Sequence, residues 1–165
     1  MRSSKASRSR TRRSKVRPTV RDGSYVLDVT GTNGTSFIST VPVRIAPERG
    51  FTITATLAVV GPGSGGFTWG GSKTSRNMVL LNGSGEASIG AMEPGGWKGG
   101  GWEPFAGYRK DRNVIVVKRV GDQVEVSMNG TSIGIADTEW FGDEVGFVVN
   151  PGSVLVVDDL TVTQP

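Results

Sequence analysis

The chain has no cysteine and no histidine among its 165 residues. Without cysteine there is no disulfide and no thiolate nucleophile. Without histidine, triads that use an imidazole base are out. Zinc, haem and copper sites rely on these two ligand types, so none of those cofactors is expected. The missing cysteine leaves the redox compartment open. Long apolar runs are lacking too: nothing approaches the ~20 residues that a membrane-spanning helix requires, and no membrane partner is expected. No apolar stretch follows the first basic residues, so neither a secretory signal nor a working twin-arginine signal at Arg12-Arg13 is expected. An intracellular or virion-associated location follows as an expectation. Amphipathic helical periodicity and repeats of about 20–50 residues are also absent.

Acidic residues are missing from one region only. None precedes Asp22, while nine basic residues lie in the first 21 positions: Arg2, Lys5, Arg8, Arg10, Arg12, Arg13, Lys15, Arg17 and Arg21. The rest of the chain carries ten basic against fifteen acidic residues, so the overall charge of +4 joins a cationic arm to an acidic body. Residues 1–22 are too polar and too self-repelling to build a core and are expected to be disordered unless bound. Arginine outnumbers lysine there, which suits bidentate contact with phosphate oxygens. A polyanion partner is expected for these nine residues: RNA, DNA or an acidic protein surface. A merely solvated tail is the plainer reading.

What is abundant is glycine, 25 residues, placed between short alternating runs. Asn113 to Gly134 is the clearest stretch. Val124, Val126 and Met128 share one face and Glu125, Ser127 and Asn129 the other, the two-residue period of a half-buried strand. Gly121-Asp122 and Asn129-Gly130 read as tight hairpin turns. Further strands are expected at 24–30, 37–43, 51–60, 67–70, 78–81, 86–91, 145–150 and 153–163. Pro42 marks an edge or a bulge. Gly61 to Gly66 reads as a loop. It matches the dinucleotide pattern G-x-G-x-x-G, but the strand Phe67-Thr68-Trp69-Gly70 follows where a helix is required. Many short strands with turns at this spacing predict an all-β sandwich or barrel over residues 23–165.

An ordered set of short motifs carries a resemblance. Gly66-Phe67-Thr68-Trp69-Gly70 is followed by the strand pair around Asn82-Gly83, then Ser88-Ile89-Gly90, Trp97 and Trp102. Asn113 to Arg119 leads on to Asn129-Gly130, then Val145-Gly146-Phe147 and the closing strand Val156 to Val162. In this order and spacing, about 85% of the chain, residues 24–163, resembles the concanavalin A-like lectin/glucanase superfamily in its laminin-G-like branch. The resemblance implies a two-sheet antiparallel jelly-roll sandwich with its first and last strands adjacent and a basic N-terminal arm. It implies a glycan or protein ligand on the concave face or the rim loops. Hydrolases of the superfamily carry Glu-x-Asp-x-x-Glu on one strand, with the carboxylates on one side. That triplet is absent. Asp158 and Asp159, as strand neighbours, are expected on opposite faces, so an enzyme is not expected.

Trp97, Trp102, Phe105 and Tyr108 sit among glycines, where exposed rings can stack on sugars or bases. Lys98, Glu103 and Arg109 can add hydrogen bonds. The weightier expectation is that Trp97 and Trp102 pack on the sheet, as in the resembling family. Trp69 reads as core, and Trp140 stays open. Asp137, Glu139, Asp143 and Glu144 are the weak calcium candidates. A solvated acidic loop, or a dock for a neighbour's arm, is the stronger reading, and no metal is expected. Asn33, Asn82 and Asn129 match the N-glycosylation pattern but read as turn chemistry. The leading functional expectation is a non-catalytic lectin-like module for a glycan or protein, with a polyanion-binding arm. The alternative is a structural assembly subunit, a homo-oligomeric capsid or decoration protein whose arm contacts nucleic acid or neighbouring subunits.

Overall fold

The structure is a computed structural model. It describes Val16 and residues 18–31, 34–46, 48–136 and 139–165. Among these, fourteen strands occur and no helix: β1 (Thr19–Arg21), β2 (Ser24–Asp28), β3 (Phe37–Arg44), β4 (Thr52–Val60), β5 (Ser64–Gly71), β6 (Arg76–Asn82), β7 (Glu86–Glu93), β8 (Gly96–Gly99), β9 (Glu103–Pro104), β10 (Asn113–Val120), β11 (Gln123–Met128), β12 (Thr131–Ala136), β13 (Glu144–Val149) and β14 (Val154–Thr163). They form two antiparallel sheets. Sheet A runs β1-β2-β14-β4-β10-β11-β12, and sheet B runs β3-β13-β5-β6-β7-β8 with β9 also on β7. The two-sheet jelly-roll is the expected architecture. Strand β2 lies beside the closing strand β14, and β3, which carries Pro42, is an edge.

The core between the sheets follows the alternation. Ile115 and Val117 of β10 and Val124, Val126 and Met128 of β11 are almost wholly buried, together with Phe67, Trp69, Val79, Leu81 and Phe147 from sheet B. Trp69 is fully buried, as read, and its ring lies 14° from parallel to that of Phe67. Asn129 and Gly130 take φ of 51° and 83°, the left-handed pair that a two-residue hairpin needs. Asp22 and Gly23 do the same, at 50° and 82°.

That second pair moves the domain boundary. The sequence reading ended the arm at residue 22, but Thr19, Val20 and Arg21 pair with Val26, Tyr25 and Ser24. Val16 packs against the core. The turn Asp22-Gly23 folds the chain back on itself, so Arg21 belongs to sheet A. Hydrogen bonds from the Thr30 side chain and backbone, and last the Arg21 charge, hold the Asp28 pKa below its ordinary value. Arg2, Lys5, Arg8, Arg10, Arg12, Arg13, Lys15 and Arg17 lie outside the described residues.

Two further expectations change. The loop at 61–66 is shorter, because β5 starts at Ser64. Its glycines serve close backbone contact: a Cβ on Gly61 or Gly63 would sit 2.4 Å from the carbonyl oxygen of Gly152 or Pro151. Strand β14 also departs from strict alternation. Val157 pairs with Leu57 and Leu160 with Ala55, so a β-bulge inserts one extra residue. Val157 and Leu160 both face the core, and Asp158 and Asp159 are both exposed. The bulge, not alternation, decides where the two carboxylates go. Asp158 accepts a hydrogen bond from Ser24 Oγ, and Asp159 lies 3.9 Å from Arg112.

Candidate functional site

The centre of sheet B, β13, β5 and β6, is buried on both faces. Val79 and Leu81 enter the main core, while Met78 and Leu80, with Val148 of β13, form a second buried cluster on the outer face. The unbroken run Met78 to Leu81 is the sequence signal for this, since a strand with one wet face would alternate. Trp97 of β8 packs on that outer cluster. Its position is set by backbone. Glycines 90 and 99 face each other across β7 and β8, and a Cβ on either would lie 2.7 or 3.0 Å from Trp97 Cζ2. The indole therefore lies across a strip where only glycine fits. Trp97 Nε1 and Ser88 Oγ both donate to the Gly100 carbonyl, at 3.3 and 2.9 Å, which ties the β8–β9 connection down.

Trp102 does not pack away. It is 41% exposed, and Met92 beside it is 38% exposed. Together with Trp97, Leu80 and Ser88 they line a hollow of about 260 Å³. The packing expectation thus holds for Trp97, whereas Trp102 stays open to solvent. Phe105 goes elsewhere, against the main core. The Tyr108 ring lies over Gly85, where a Cβ would be 3.2 Å from its Cδ1, and burial pushes its phenol pKa up. The four aromatics are not one platform: two share the hollow and two anchor the segment.

On the other side of the Gly99–Gly101 strip lies a larger cleft of about 700 Å³. Its walls are β7, β8 and β9 of sheet B and β12 of sheet A, the open rim of the sandwich. Its charged groups are Glu93, Glu103, Glu139 and Lys98. Lys98 Nζ donates to Glu93 Oε2 at 2.8 Å. That bond, then the charges of Glu93 and Glu139, holds the Lys98 pKa above its ordinary value. No ion pair within 4.0 Å involves Glu103 or Glu139 among the described residues. Ser88, Gly100 and Gly101 line both hollows, so the two share this strip as a common wall. Sequence reading named Lys98 and Glu103 here but missed Glu93, Met92, Ser88 and the whole contribution of β12, which depends on how the two sheets meet. Arg109 is not part of the cleft: its backbone exchanges hydrogen bonds with the Asn113 side chain, at 2.9 and 2.6 Å.

The acidic candidates are dispersed. Glu139 lies at the rim cleft, Asp143 pairs with Arg44 at 3.4 Å, Glu144 opens β13, and Asp137 lies outside the described residues. No group of three such ligands gathers among the described residues. Asn77 Nδ2 donates to the Glu139 carbonyl at 2.9 Å, which fixes that segment by its backbone. Trp140, left open by the sequence, is half-buried with its ring centroid 5.6 Å from that of Phe51. Asn129 and Asn82 behave as turn residues: Asn82 Oδ1 accepts from the backbone of Ser84 and Glu86, both at 3.0 Å. Asn33 lies outside the described residues.

No protein-family model matches the chain, and no curated protein is significantly similar to it in sequence. Solved structures do match. The carbohydrate-binding module CBM66 from Bacillus subtilis superposes with a TM-score of 0.60 at 13% identity, covering 87% of this chain and 83% of that one. Sheep galectin-11 gives 0.57 at 7% identity, over 80% of this chain and all of that one. A β-1,3-glucanase from Mycobacterium marinum gives 0.58 at 12% identity, over 86% and 75%. At these identities the likeness speaks to fold, and the fold serves both binding modules and enzymes. The chain has a concanavalin A-like jelly-roll fold.

Proposed function

We propose that this protein is a non-catalytic glycan-binding module whose ligand lies at the β7–β9 rim. One observation carries the reading: a 41% exposed Trp102 and a glycine-seated Trp97 flank a hollow that shares the wall Ser88, Gly100 and Gly101 with a polar cleft. Ring faces take the C–H face of a pyranose, and carboxylates beside them accept its hydroxyl protons. Fold neighbours described as a carbohydrate-binding module and a galectin support the same reading. The absent hydrolase triplet argues against hydrolysis. The exposed Asp158–Asp159 pair lies on β14, away from the cleft-lining residues. A glycan array is the test. Binding that disappears in Trp102→Ala, with the melting temperature unchanged, is expected; silence across the array overturns the proposal.

The arm is proposed to act separately, as a polyanion contact. The support is its sequence, with seven basic residues in positions 1–15 and no acid. Deleting residues 1–15 spares Val16 and β1, so the sandwich stays whole. Affinity for single-stranded RNA is expected to fall, and the log–log salt slope to shrink by up to about 5 units. An unchanged slope overturns the arm proposal. No observation among the described residues favours the capsid or decoration-protein reading.

A further inference from the structure

We infer that the rim cleft selects for amine-bearing sugars of the glucosamine type and against uronate or sulfated glycans. This rests on the glycan-binding reading above and adds the charge of the ligand. The cleft presents three carboxylates, Glu93, Glu103 and Glu139, and one ammonium, Lys98. The ammonium is spent on Glu93 at 2.8 Å. Glu103 on β9 and Glu139 on the segment before β13 are left with no cation within ion-pair distance among the described residues. A cleft with low-dielectric walls concentrates the field of its uncompensated charges. The apolar parts of its lining, Ile133, Ile135, Phe105, Phe141 and Ala91, are such walls.

Sugar hydroxyls satisfy a carboxylate by donating to it, and a sugar ammonium does so with charge assistance. A uronate or sulfate ester brings two like charges together in the same space and is repelled. The aromatic hollow next door is indifferent to this difference, because every pyranose has a C–H face. Affinity in the hollow and charge selection in the cleft are therefore separable by mutation.

Three β-1,4-linked hexamers make a matched test: glucosamine, N-acetylglucosamine and mannuronate. Titration calorimetry with the full chain is done at about pH 6, where ordinary carboxylates are ionised and glucosamine amines are largely protonated. The expected order is glucosamine above N-acetylglucosamine above mannuronate. Added salt weakens the first and leaves the second unchanged. Glu103→Gln and Glu139→Gln are each expected to lower glucosamine affinity about fivefold without changing N-acetylglucosamine binding, and Asp122→Asn, at a remote turn, to change neither. Mannuronate binding as tightly as glucosamine, or glucosamine affinity indifferent to both Gln variants, overturns the charge selection but leaves the glycan reading standing. Failure of all three hexamers overturns the charge selection, and the glycan array then decides the parent reading by itself.

Discussion

Two hairpin regions face each other across the rim cleft and are built on opposite rules. The meander β10–β11–β12 is specified by side chains. Its valines and Met128 alternate inward, and its turn residues sit at the φ values that their types allow. The β7–β8–β9 region is specified by missing side chains. Gly90 and Gly99 let two backbones and an indole meet, and Trp102 stays 41% exposed. One region spends its aromatic and aliphatic surface on stability; the other keeps part of it at the surface. Mutations should therefore separate stability from binding, and the contrast can be broken at several points.

Met128→Ala is expected to have the largest effect. The side chain is fully buried in the main core, and its loss should cost about 2–5 kcal/mol of unfolding free energy in urea titrations. Asn113→Ala comes next. This fully buried side chain bonds the Arg109 backbone and accepts from Asn129 Nδ2 at 3.1 Å, so it ties the β9–β10 connection to the β11–β12 turn. Leaving those groups unpaired should cost about 1–3 kcal/mol. Gly90→Val drives a side chain into the Lys98 carbonyl, where even a Cβ would be 2.5 Å away. A loss of about 1–3 kcal/mol is expected, with a shifted Trp97 emission that Met128→Ala does not produce. Should Gly90→Val leave the emission unchanged, the glycine seat for the indole is wrong.

Trp102→Ala should cost less than about 1 kcal/mol, since surface positions away from packed groups rarely cost more. The smallest effect is a pH dependence. Burial raises the Tyr108 phenol pKa, so on raising the pH the unfolded chain loses that proton before the folded one. Stability then falls from about pH 10 upward. Lys98, also raised, adds a loss in the same direction as the pH passes its folded pKa. Tyr108→Phe should flatten the alkaline limb of a denaturation–pH profile; an unchanged limb removes Tyr108 from the account.

Legibility followed the same divide. Alternation and Asn-Gly turns made the meander, the two-sheet class and the buried face readable, because there each residue's type decides its own geometry. Asp22-Gly23 carried the same turn chemistry as Asn129-Gly130, and the boundary at 22 overlooked it because the basic charges around it pointed to an arm. Asp158 and Asp159 share a solvent side because of a bulge that no single residue announces. The rim cleft was legible only in part. Lys98 and Glu103 stand near the tryptophans in sequence, but Glu139 and β12 reach them only through sheet closure, across about 30 to 40 residues of chain.

The central claim is that the rim of sheet B binds sugar through a ring that the fold does not need. Paired measurements on Trp102→Ala test it most directly: its melting temperature, and its affinity for whichever array glycan the unmodified chain binds best. A melting temperature within a degree or two of the parent, with affinity reduced about tenfold or more, is the predicted result. A destabilised protein that keeps its affinity would contradict it, because Trp102 would then be a structural ring and the ligand would lie elsewhere.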